Sequence, residues 1–268
     1  MAEPRVDLTL EERGAAGRVA RLIVDHPGKL NILNRALIAA LAEKARSLAG
    51  VSDLRAVVLT GAGERAFIGG ADIRDLAALE QDTAKEFITA LHHVCEALRL
   101  LPVPVIARIN GYALGAGLEV AAACDLRIAS QHSRFGMPEV RVGIPSVIEA
   151  ALLPGLIGWG RTRRLLLTAE TIDAPVAERW GLVDWCVPAA QLDAAVEELI
   201  DAILACGANA IRLQKTLIRE WEDLPLSQAI ERGIACLAES YASDEPKQLM
   251  GAFLATAAAR KKGLGKGK

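Results

Sequence analysis

The sequence has few aromatic residues, little net charge and no long uncharged apolar segment. Aromatic side chains make up 4% of its 268 residues, so the core must be built mainly from Ala, Leu, Ile and Val. A net charge of −2 gives no general attraction to nucleic acid or to anionic membranes. No uncharged apolar run approaches the roughly 18 residues that a membrane span needs. We therefore expect a globular protein that is not embedded in a membrane.

Paired cysteines are also missing. The five cysteines are odd in number and contain no C-x-x-C pair, which is typical of reduced, mostly buried thiols. Near the start of the chain, Glu3, Arg5 and Asp7 interrupt any signal-peptide hydrophobic segment. The expected location is cytoplasmic.

A dinucleotide-binding motif is absent as well. The strand-like residues 55–60 run into Gly61 and Gly63, but the G-x-G-x-x-G spacing is lacking and no helix follows at once. This argues against a nicotinamide or flavin enzyme. Strand-like and helical segments alternate along most of the chain, and the last seventy or so residues are almost purely helical. We predict an α/β core over residues 1–195 and a helical region over residues 196–268.

Local signals mark the first elements. Residues 6–11 and 18–25 are strand-like and are joined by Gly14 and Gly17, which predicts a β-hairpin. Asn31 or Asn34 is predicted to cap the following helix, whose apolar positions recur at helical spacing up to Leu48. The repeated order of strand, turn and helix is compatible with a spiral of similar units.

Two glycine-rich segments follow predicted strands: GGADI at 69–73 and NGYALGAGLE at 110–119. In the second, the change from strand to turn to helix would leave unpaired N–H groups at the positive end of a helix. Two such amides directed at one oxygen would stabilise an enolate or a tetrahedral oxyanion. The alternative interpretation is that Gly115, Ala116 and Gly117 only permit close packing of the helix.

Two glutamates favour the catalytic interpretation. Glu119 lies in an otherwise apolar stretch, where a buried carboxylate is costly unless it has a function. Glu139 follows twenty residues later, beyond one more predicted strand, so both carboxylates could reach one pocket. Such a pair suits general acid–base catalysis on a water molecule. Taken alone, Glu139 would be interpreted as an exposed loop residue.

Other polar residues are weaker candidates. His92 and His93 are adjacent on a predicted helix and point in different directions, which predicts surface positions rather than a metal site. Ser146 lacks the G-x-S-x-G context of a serine hydrolase. Basic residues at 161–164 and in the tail at 260–268 are typical of solvated surfaces.

Taken together, three segments resemble the crotonase (enoyl-CoA hydratase/isomerase) family. They are AFIGGADI at 66–73, NGYALGAGLEVAAACD at 110–125 and FGMPE at 135–139. The likeness extends from HPGKLN at 26–31 to residue 253, and so covers nearly the whole chain. It implies an α/β fold with a spiral of repeated ββα units and a C-terminal helical region that makes trimers, usually paired as a dimer of trimers.

The resemblance also implies an activity. Family members that hydrate a trans-2-enoyl-CoA to a 3-hydroxyacyl-CoA, by syn addition of water, have both glutamates, which match Glu119 and Glu139. Members that only isomerise typically keep one. The chain is therefore expected to be an enoyl-CoA hydratase (hydro-lyase). The preferred assignment is Glu119 as base and Glu139 as acid, and a shared or reversed assignment stays open. CoA arrives on the substrate, so neither a cofactor nor a metal is expected. The residues implied for oxyanion-hole and CoA binding are Ala71 and Ala116 for the hole, and Lys29, Leu30, Ala71, Asp72, Ile73 and Arg74 for CoA.

The sequence departs from the family pattern at two places. Ala116 stands at the second oxyanion glycine, where its N–H is retained. After Glu139, Ser146-Val-Ile-Glu149 replaces the usual glycine-rich run, which makes Glu149 a candidate third acid near the pocket. Two other functions therefore stay open. One is a double-bond isomerase or another acyl-CoA lyase of this fold. The other is a non-catalytic or moonlighting RNA-binding protein that uses the basic residues, although no nucleic-acid partner is expected at this net charge.

Overall fold

The structure is a computed structural model that describes residues 3–264, with side chains described up to residue 257. The chain divides into two compact units, one ending at Asp201 and one beginning at Ala202. The sequence-based boundary after residue 195 and this division both fall within one helix, residues 192–204. The strands are β1 (Arg5–Glu12), β2 (Arg18–Asp25), β3 (Leu54–Gly61), β4 (Ala66–Ile68), β5 (Val105–Ile109), β6 (Tyr112–Leu114), β7 (Leu126–Ser130), β8 (Arg134–Gly136), β9 (Thr171–Asp173) and β10 (Trp185–Val187). The α-helices are α1 (Arg35–Leu48), α2 (Ile73–Ala77), α3 (Gln81–Leu100), α4 (Ala116–Ala122), α5 (Leu153–Thr168), α6 (Ala174–Trp180), α7 (Leu192–Leu204), α8 (Ala208–Asp223), α9 (Leu226–Ser240) and α10 (Glu245–Leu264).

The strands of the first unit form two sheets. The six-stranded sheet has the order β1-β2-β3-β5-β7-β10, and the four-stranded sheet has the order β4-β6-β8-β9. The β1–β2 pair and the β8–β9 pair are antiparallel, and the other pairs are parallel. Consecutive strands alternate between the sheets, because β3, β5 and β7 lie in the large one while β4, β6 and β8 lie in the small one. This is the predicted spiral of ββα units, and the α/β fold class is confirmed.

Parallel strands that are covered on both faces become continuous apolar runs. In β3, residues 56–59 are fully buried, and β5 and β7 contribute similar segments to the same core. Aliphatic side chains fill most of this core, and Phe67 and Phe135 are its largest fully buried side chains. The expectation from the low aromatic content is confirmed.

Two of the local predictions are also settled. β1 and β2 form the predicted hairpin. Asn34 caps α1 by accepting a hydrogen bond from the Leu37 N–H at 2.9 Å, so the cap is Asn34 and not Asn31.

The remaining predictions concern membranes and the basic tail. Within residues 3–264, no helix combines the length and the apolar character that crossing a bilayer requires. The basic tail at 260–268, which the alternative function would use to contact RNA, is described only in part. Only its backbone up to Leu264 belongs to the described residues, and residues 265–268 lie outside them.

Candidate active site

Two peptide segments of the candidate site follow neighbouring strands of the small sheet. β4 and β6 are parallel, so their carboxyl ends lie at the same edge. The chain reaches Ala71 three residues after β4 and Ala116 two residues after β6. The two segments also approach each other closely, since a Cβ placed on Gly70 would lie 3.2 Å from the carbonyl oxygen of Leu114. The small sheet thus brings the two predicted amides to one region.

A parallel β-bridge determines where the Ala71 amide points. Leu33 donates its N–H to the Gly70 carbonyl and accepts from the Asp72 N–H, each at 2.8 Å. In a bridge of this kind, the flanking peptides bind the partner strand and the bridged residue directs its own N–H to the opposite side. Among residues 3–264, the Ala71 N–H makes no hydrogen bond to a backbone carbonyl. It is therefore free to bind a ligand oxygen.

The second amide is at the start of α4. Ala116 is the first residue of this helix, and a first-turn N–H has no acceptor four residues earlier. Gly115 precedes it with φ 52° and ψ −122°, a conformation that side-chain-bearing residues rarely adopt. Within the described part of the chain, the Ala116 N–H is also without a backbone acceptor.

Glu119 lies in the first turn of α4 and is 4% exposed. Burial raises the pKa of its carboxyl to about 8, and the negative charges of Glu139 and Glu149 add to the effect. Hydrogen bonds from the backbone N–H groups of Ala150 and Val147 act in the opposite direction. Glu119 therefore favours its protonated form at neutral pH. This favours Glu119 as the acid and Glu139 as the base, which is the reverse of the predicted assignment.

Glu139 is half-buried and begins a 3-10 turn, Glu139–Val142. Its Oε2 accepts a hydrogen bond from Ser146 Oγ at 2.8 Å. Its Oε1 packs so closely on Gly115 that a Cβ on that glycine would overlap it. Glu139 therefore lies against the turn that presents the Ala116 amide, and its charge acts on Glu119. It is not an isolated loop acid.

Glu149 and His92 form a pair that the sequence did not predict. Glu149 is 7% exposed, and its Oε1 lies 2.8 Å from His92 Nδ1. The prediction of a surface position is confirmed for His93, which is exposed. For His92 it missed the contact with a buried acid. Spacing along the sequence could not show this contact, because the two residues are 57 positions apart. Across residues 3–264, no three His, Cys, Asp or Glu side chains are grouped so that they could hold a metal ion.

The predicted CoA-binding residues lie on two adjacent loops. Lys29 is exposed at the end of a 3-10 turn, and Leu30 follows it in a left-handed conformation with φ 57°. The Leu30 carbonyl accepts a hydrogen bond from the Gly69 N–H at 2.8 Å, which ties this loop to the one that carries Ala71. Asn31 fixes the loop from inside: its side-chain amide donates to the carbonyls of Ala62 and Ala66. The sequence had suggested only a helix cap for Asn31.

The side chains of residues 72–74 differ in whether they are available to bind a ligand. Asp72 is buried and caps α2 by accepting from the Arg74 N–H at 2.9 Å, so its carboxylate is already engaged. Ile73 is 54% exposed, and Arg74 is exposed. An apolar and a cationic side chain therefore follow the Ala71 amide on the surface.

The basic cluster at 161–164 is held by neighbouring side chains. Arg161 donates to the Trp180 carbonyl at 3.0 Å and lies over the Trp180 ring. Arg164 pairs with Glu170 at 2.6 Å, and Arg163 lies over Trp159. These contacts give the cluster a structural explanation and weaken the RNA-binding alternative.

Comparison with known proteins places this chain in a family. The model of the family described as "Enoyl-CoA hydratase/isomerase" matches residues 14–262. The chain belongs to this family. It is similar to the short-chain-enoyl-CoA hydratase of Clostridium acetobutylicum, with 34% identity over 239 residues, which is 89% of this chain and 92% of the relative. It is also similar to the crotonyl-CoA hydratase of Syntrophomonas wolfei, with 32% identity over 255 residues, 95% of this chain and 96% of the relative.

Solved structures agree with this family membership. The crystal structure of an enoyl-CoA hydratase from Mycobacterium smegmatis matches with a TM-score of 0.89 and 29% identity, over 95% of this chain and 97% of that one. One from Bacillus anthracis matches with a TM-score of 0.87 and 29% identity, over 93% and 96%. The resemblance to the crotonase family inferred from the sequence is confirmed, and the chain is a member of a family of enzymes.

Proposed function

We propose that this protein is an enoyl-CoA hydratase, which adds water to a trans-2-enoyl-CoA to give a 3-hydroxyacyl-CoA. The observation that carries the proposal is the pair of carboxyls, Glu119 and Glu139, at the turn that presents the Ala116 amide. Hydration needs two proton-transfer groups on one water, and these two carboxyls are the candidates for that role. The hydratases among the relatives, at 34% and 32% identity, support the same reaction.

In this proposal the thioester oxygen binds to the N–H groups of Ala71 and Ala116. Addition of water at Cβ moves electrons toward the thioester carbonyl, and the negative charge that develops on its oxygen must be stabilised. Both amides lack backbone acceptors within residues 3–264 and lie on adjacent segments. A donor in such an oxyanion hole contributes about 2.7–4 kcal/mol to catalysis.

The two glutamates divide the proton transfers between them. Glu139, as the carboxylate, takes a proton from the water while the water oxygen bonds to Cβ. Glu119, which holds a proton because its pKa is about 8, gives that proton to Cα. A proton then returns from Glu139 to Glu119 and restores the starting state. This assignment reverses the one made from the sequence, and it follows from the burial of Glu119 beside two other acids.

The CoA moiety is proposed to bind along Lys29, Leu30, Ala71, Asp72, Ile73 and Arg74. The exposed cations Lys29 and Arg74 suit the phosphates of CoA, and Ile73 offers an apolar contact. Asp72 contributes through its backbone, since its carboxylate caps α2. We propose that no separate cofactor takes part, because the CoA is carried by the substrate.

The direct test uses crotonyl-CoA. The wild-type protein is expected to consume it, with loss of the absorbance of the conjugated thioester and formation of 3-hydroxybutyryl-CoA, measured by spectrophotometry and mass spectrometry. A protein that binds CoA but does not consume any enoyl-CoA would contradict the hydratase function. Conversion of a 3-enoyl-CoA to its 2-enoyl isomer, without hydration, would show an isomerase. RNA binding that weakens steeply with salt would indicate the non-catalytic alternative.

We also propose a homotrimer, or a dimer of trimers, assembled through the C-terminal helices. One face of α9 exposes a stripe of large apolar side chains. Its members recur at helical spacing: Leu226 (78% exposed), Ile230 (57%), Ile234 (69%) and Leu237 (65%). An apolar stripe of this size on a helix is typical of an interface between subunits.

Replacing Ile234 with Glu is expected to lower the oligomeric state, because a carboxylate would have to be buried in the interface without a partner. Light scattering coupled to size-exclusion chromatography measures the mass. Gln228→Glu, on the opposite side of α9, adds the same charge and should leave the mass unchanged. An unaltered mass for Ile234→Glu would exclude this face as the interface.

A cytoplasmic location is part of the proposal. All five cysteines are free thiols, which fits a reducing compartment.

A further inference from the structure

The acid–base pair of Glu149 and His92 has no part in the hydration reaction described above. Glu149 belongs to a 3-10 turn, Ile148–Leu152, and is almost fully buried. One of its oxygens is paired with His92, and the other, Oε2, makes no hydrogen bond to a nitrogen or oxygen atom among residues 3–264, while the Cys95 thiol interacts with the same carboxyl. The His92 side chain is 44% exposed, so the pair extends from the interior to the surface. A buried carboxylate with an unsatisfied oxygen is costly and calls for a functional explanation.

The backbone at this turn is strained. Ile148 has φ 40°, and a β-branched residue with positive φ is rare because its side chain clashes with the following peptide. Strain of this kind persists only where the surrounding structure requires it, and it is found most often at functional sites. Here the strained residue immediately precedes Glu149.

The same turn also holds Glu119. The N–H groups of Val147 and Ala150, on either side of Ile148 and Glu149, act on the Glu119 carboxyl and lower its pKa. A single short segment therefore places two backbone N–H groups and a second carboxyl beside the proposed proton donor. The packing of the turn between α3 and α4 fixes both interactions.

We propose that Glu149 and His92 are positioning residues for Glu119, and that the strained turn at Ile148 places the Glu149 charge so that Glu119 keeps its proton over the working pH range. The inference rests on the proposed role of Glu119. Neither residue of the pair needs to contact substrate.

The charges around Glu119 determine the direction of the effect. The titratable groups that face it or Glu149 are Glu139, His92 and Cys95. The Glu149 carboxylate disfavours ionisation of Glu119 because two negative charges repel in a buried site. The same cause acts on Cys95: burial raises the pKa of its thiol, and the Glu149 charge raises it further. Removing the Glu149 charge should therefore let Glu119 lose its proton at lower pH.

The test is the pH profile of kcat/KM for hydration of crotonyl-CoA, which reports the groups of the free enzyme. With Glu119 as proton donor, the wild-type rate falls as pH rises through the pKa of Glu119. In Glu149→Gln this fall is expected at lower pH, by roughly one unit. In His92→Phe the Glu149 carboxyl loses the partner that positions it beside Glu119, so the fall should move in the same direction. His93→Gln, one position along α3 and exposed, should keep the wild-type profile.

The outcomes distinguish this inference from the proposed function. An unchanged profile in Glu149→Gln, in an enzyme that needs Glu119, overturns the positioning role and leaves the hydratase intact. An equal shift in His93→Gln overturns it too. Full hydration by Glu119→Gln would instead reject the role of Glu119 itself. If Glu149→Gln does not fold, His92→Phe on its own decides between a shifted and an unshifted profile.

Discussion

Replacing Glu119 with Gln is expected to lower kcat for hydration of crotonyl-CoA by roughly a hundred- to ten-thousand-fold, the usual contribution of a general acid or base. Gln keeps the size of the side chain, and its amide oxygen can still face the N–H groups of Val147 and Ala150. It cannot supply a proton to Cα. The fall should therefore appear in kcat, with little change in KM, in a steady-state assay that follows the absorbance of the thioester.

The same substitution is expected to stabilise the fold at alkaline pH. The pKa of Glu119 rises from 4.5 to about 8 on folding, so the native state favours the protonated carboxyl. The contribution of Glu119 to the free energy of unfolding is therefore fully present below pH 4.5 and is lost as pH rises through about 8. Gln does not ionise. The free energy of unfolding of Glu119→Gln should therefore exceed that of the wild type by a few kcal/mol at high pH, with a smaller difference at low pH, as measured in urea.

A matched control distinguishes the effect of losing Glu119 from the effect of losing any glutamate side chain. Glu96 is exposed on α3, and Glu96→Gln should change neither kcat nor the pH dependence of unfolding. Wild-type activity in Glu119→Gln would contradict the assignment of Glu119. An unfolding free energy that stays equal to that of the wild type at every pH would contradict its raised pKa.

Gly115→Ala should reduce kcat/KM by about 100- to 1,000-fold, comparable to the loss of one oxyanion-hole donor. The φ of 52° and ψ of −122° at this position are unfavourable for alanine. Its Cβ would also overlap Oε1 of Glu139. The Glu139 carboxylate must move away to relieve the overlap, and the turn must change its conformation to relieve the backbone strain, which displaces the Ala116 N–H. The steady-state assay with crotonyl-CoA measures the effect.

Gly155→Ala provides the control for this glycine. Gly155 is in α5, and a Cβ there would meet no atom within 4 Å. Alanine is the better helix former, so the variant should be as active as the wild type and slightly more stable. Thermal unfolding of both variants shows whether the activity of Gly115→Ala is lost through the site or through general destabilisation. Near-normal kcat/KM in a folded Gly115→Ala protein would show that the turn does not support catalysis.

Much of the fold was predictable because its signals are local. The β1–β2 hairpin follows from two strand-like runs joined by glycines, and Asn34 is one of the two asparagines predicted to cap α1. The alternation of strands and helices indicated the α/β class. The glycine-rich segments indicated turns with available N–H groups, and the resemblance to the family assigned these groups to Ala71 and Ala116.

The remainder depends on contacts between distant parts of the chain. The pairing of His92 with Glu149 spans 57 positions, and no local pattern marks either residue as a member of a pair. Asn31 illustrates the same limit, because its buried amide bonds to the carbonyls of Ala62 and Ala66 while its neighbours suggest only a cap.

The fold class, the family and the identity of the candidate acids could be inferred from the sequence, because strand periodicity, turn glycines and a carboxylate in an apolar helix are properties of short segments. Which of the two acids holds the proton depends instead on contacts between distant segments. The charge state of Glu119 depends on its burial and on its distance from Glu139 and Glu149, and these are created when α4 packs against the turn at Ile148. An isolated segment remains hydrated and would titrate as an ordinary glutamate.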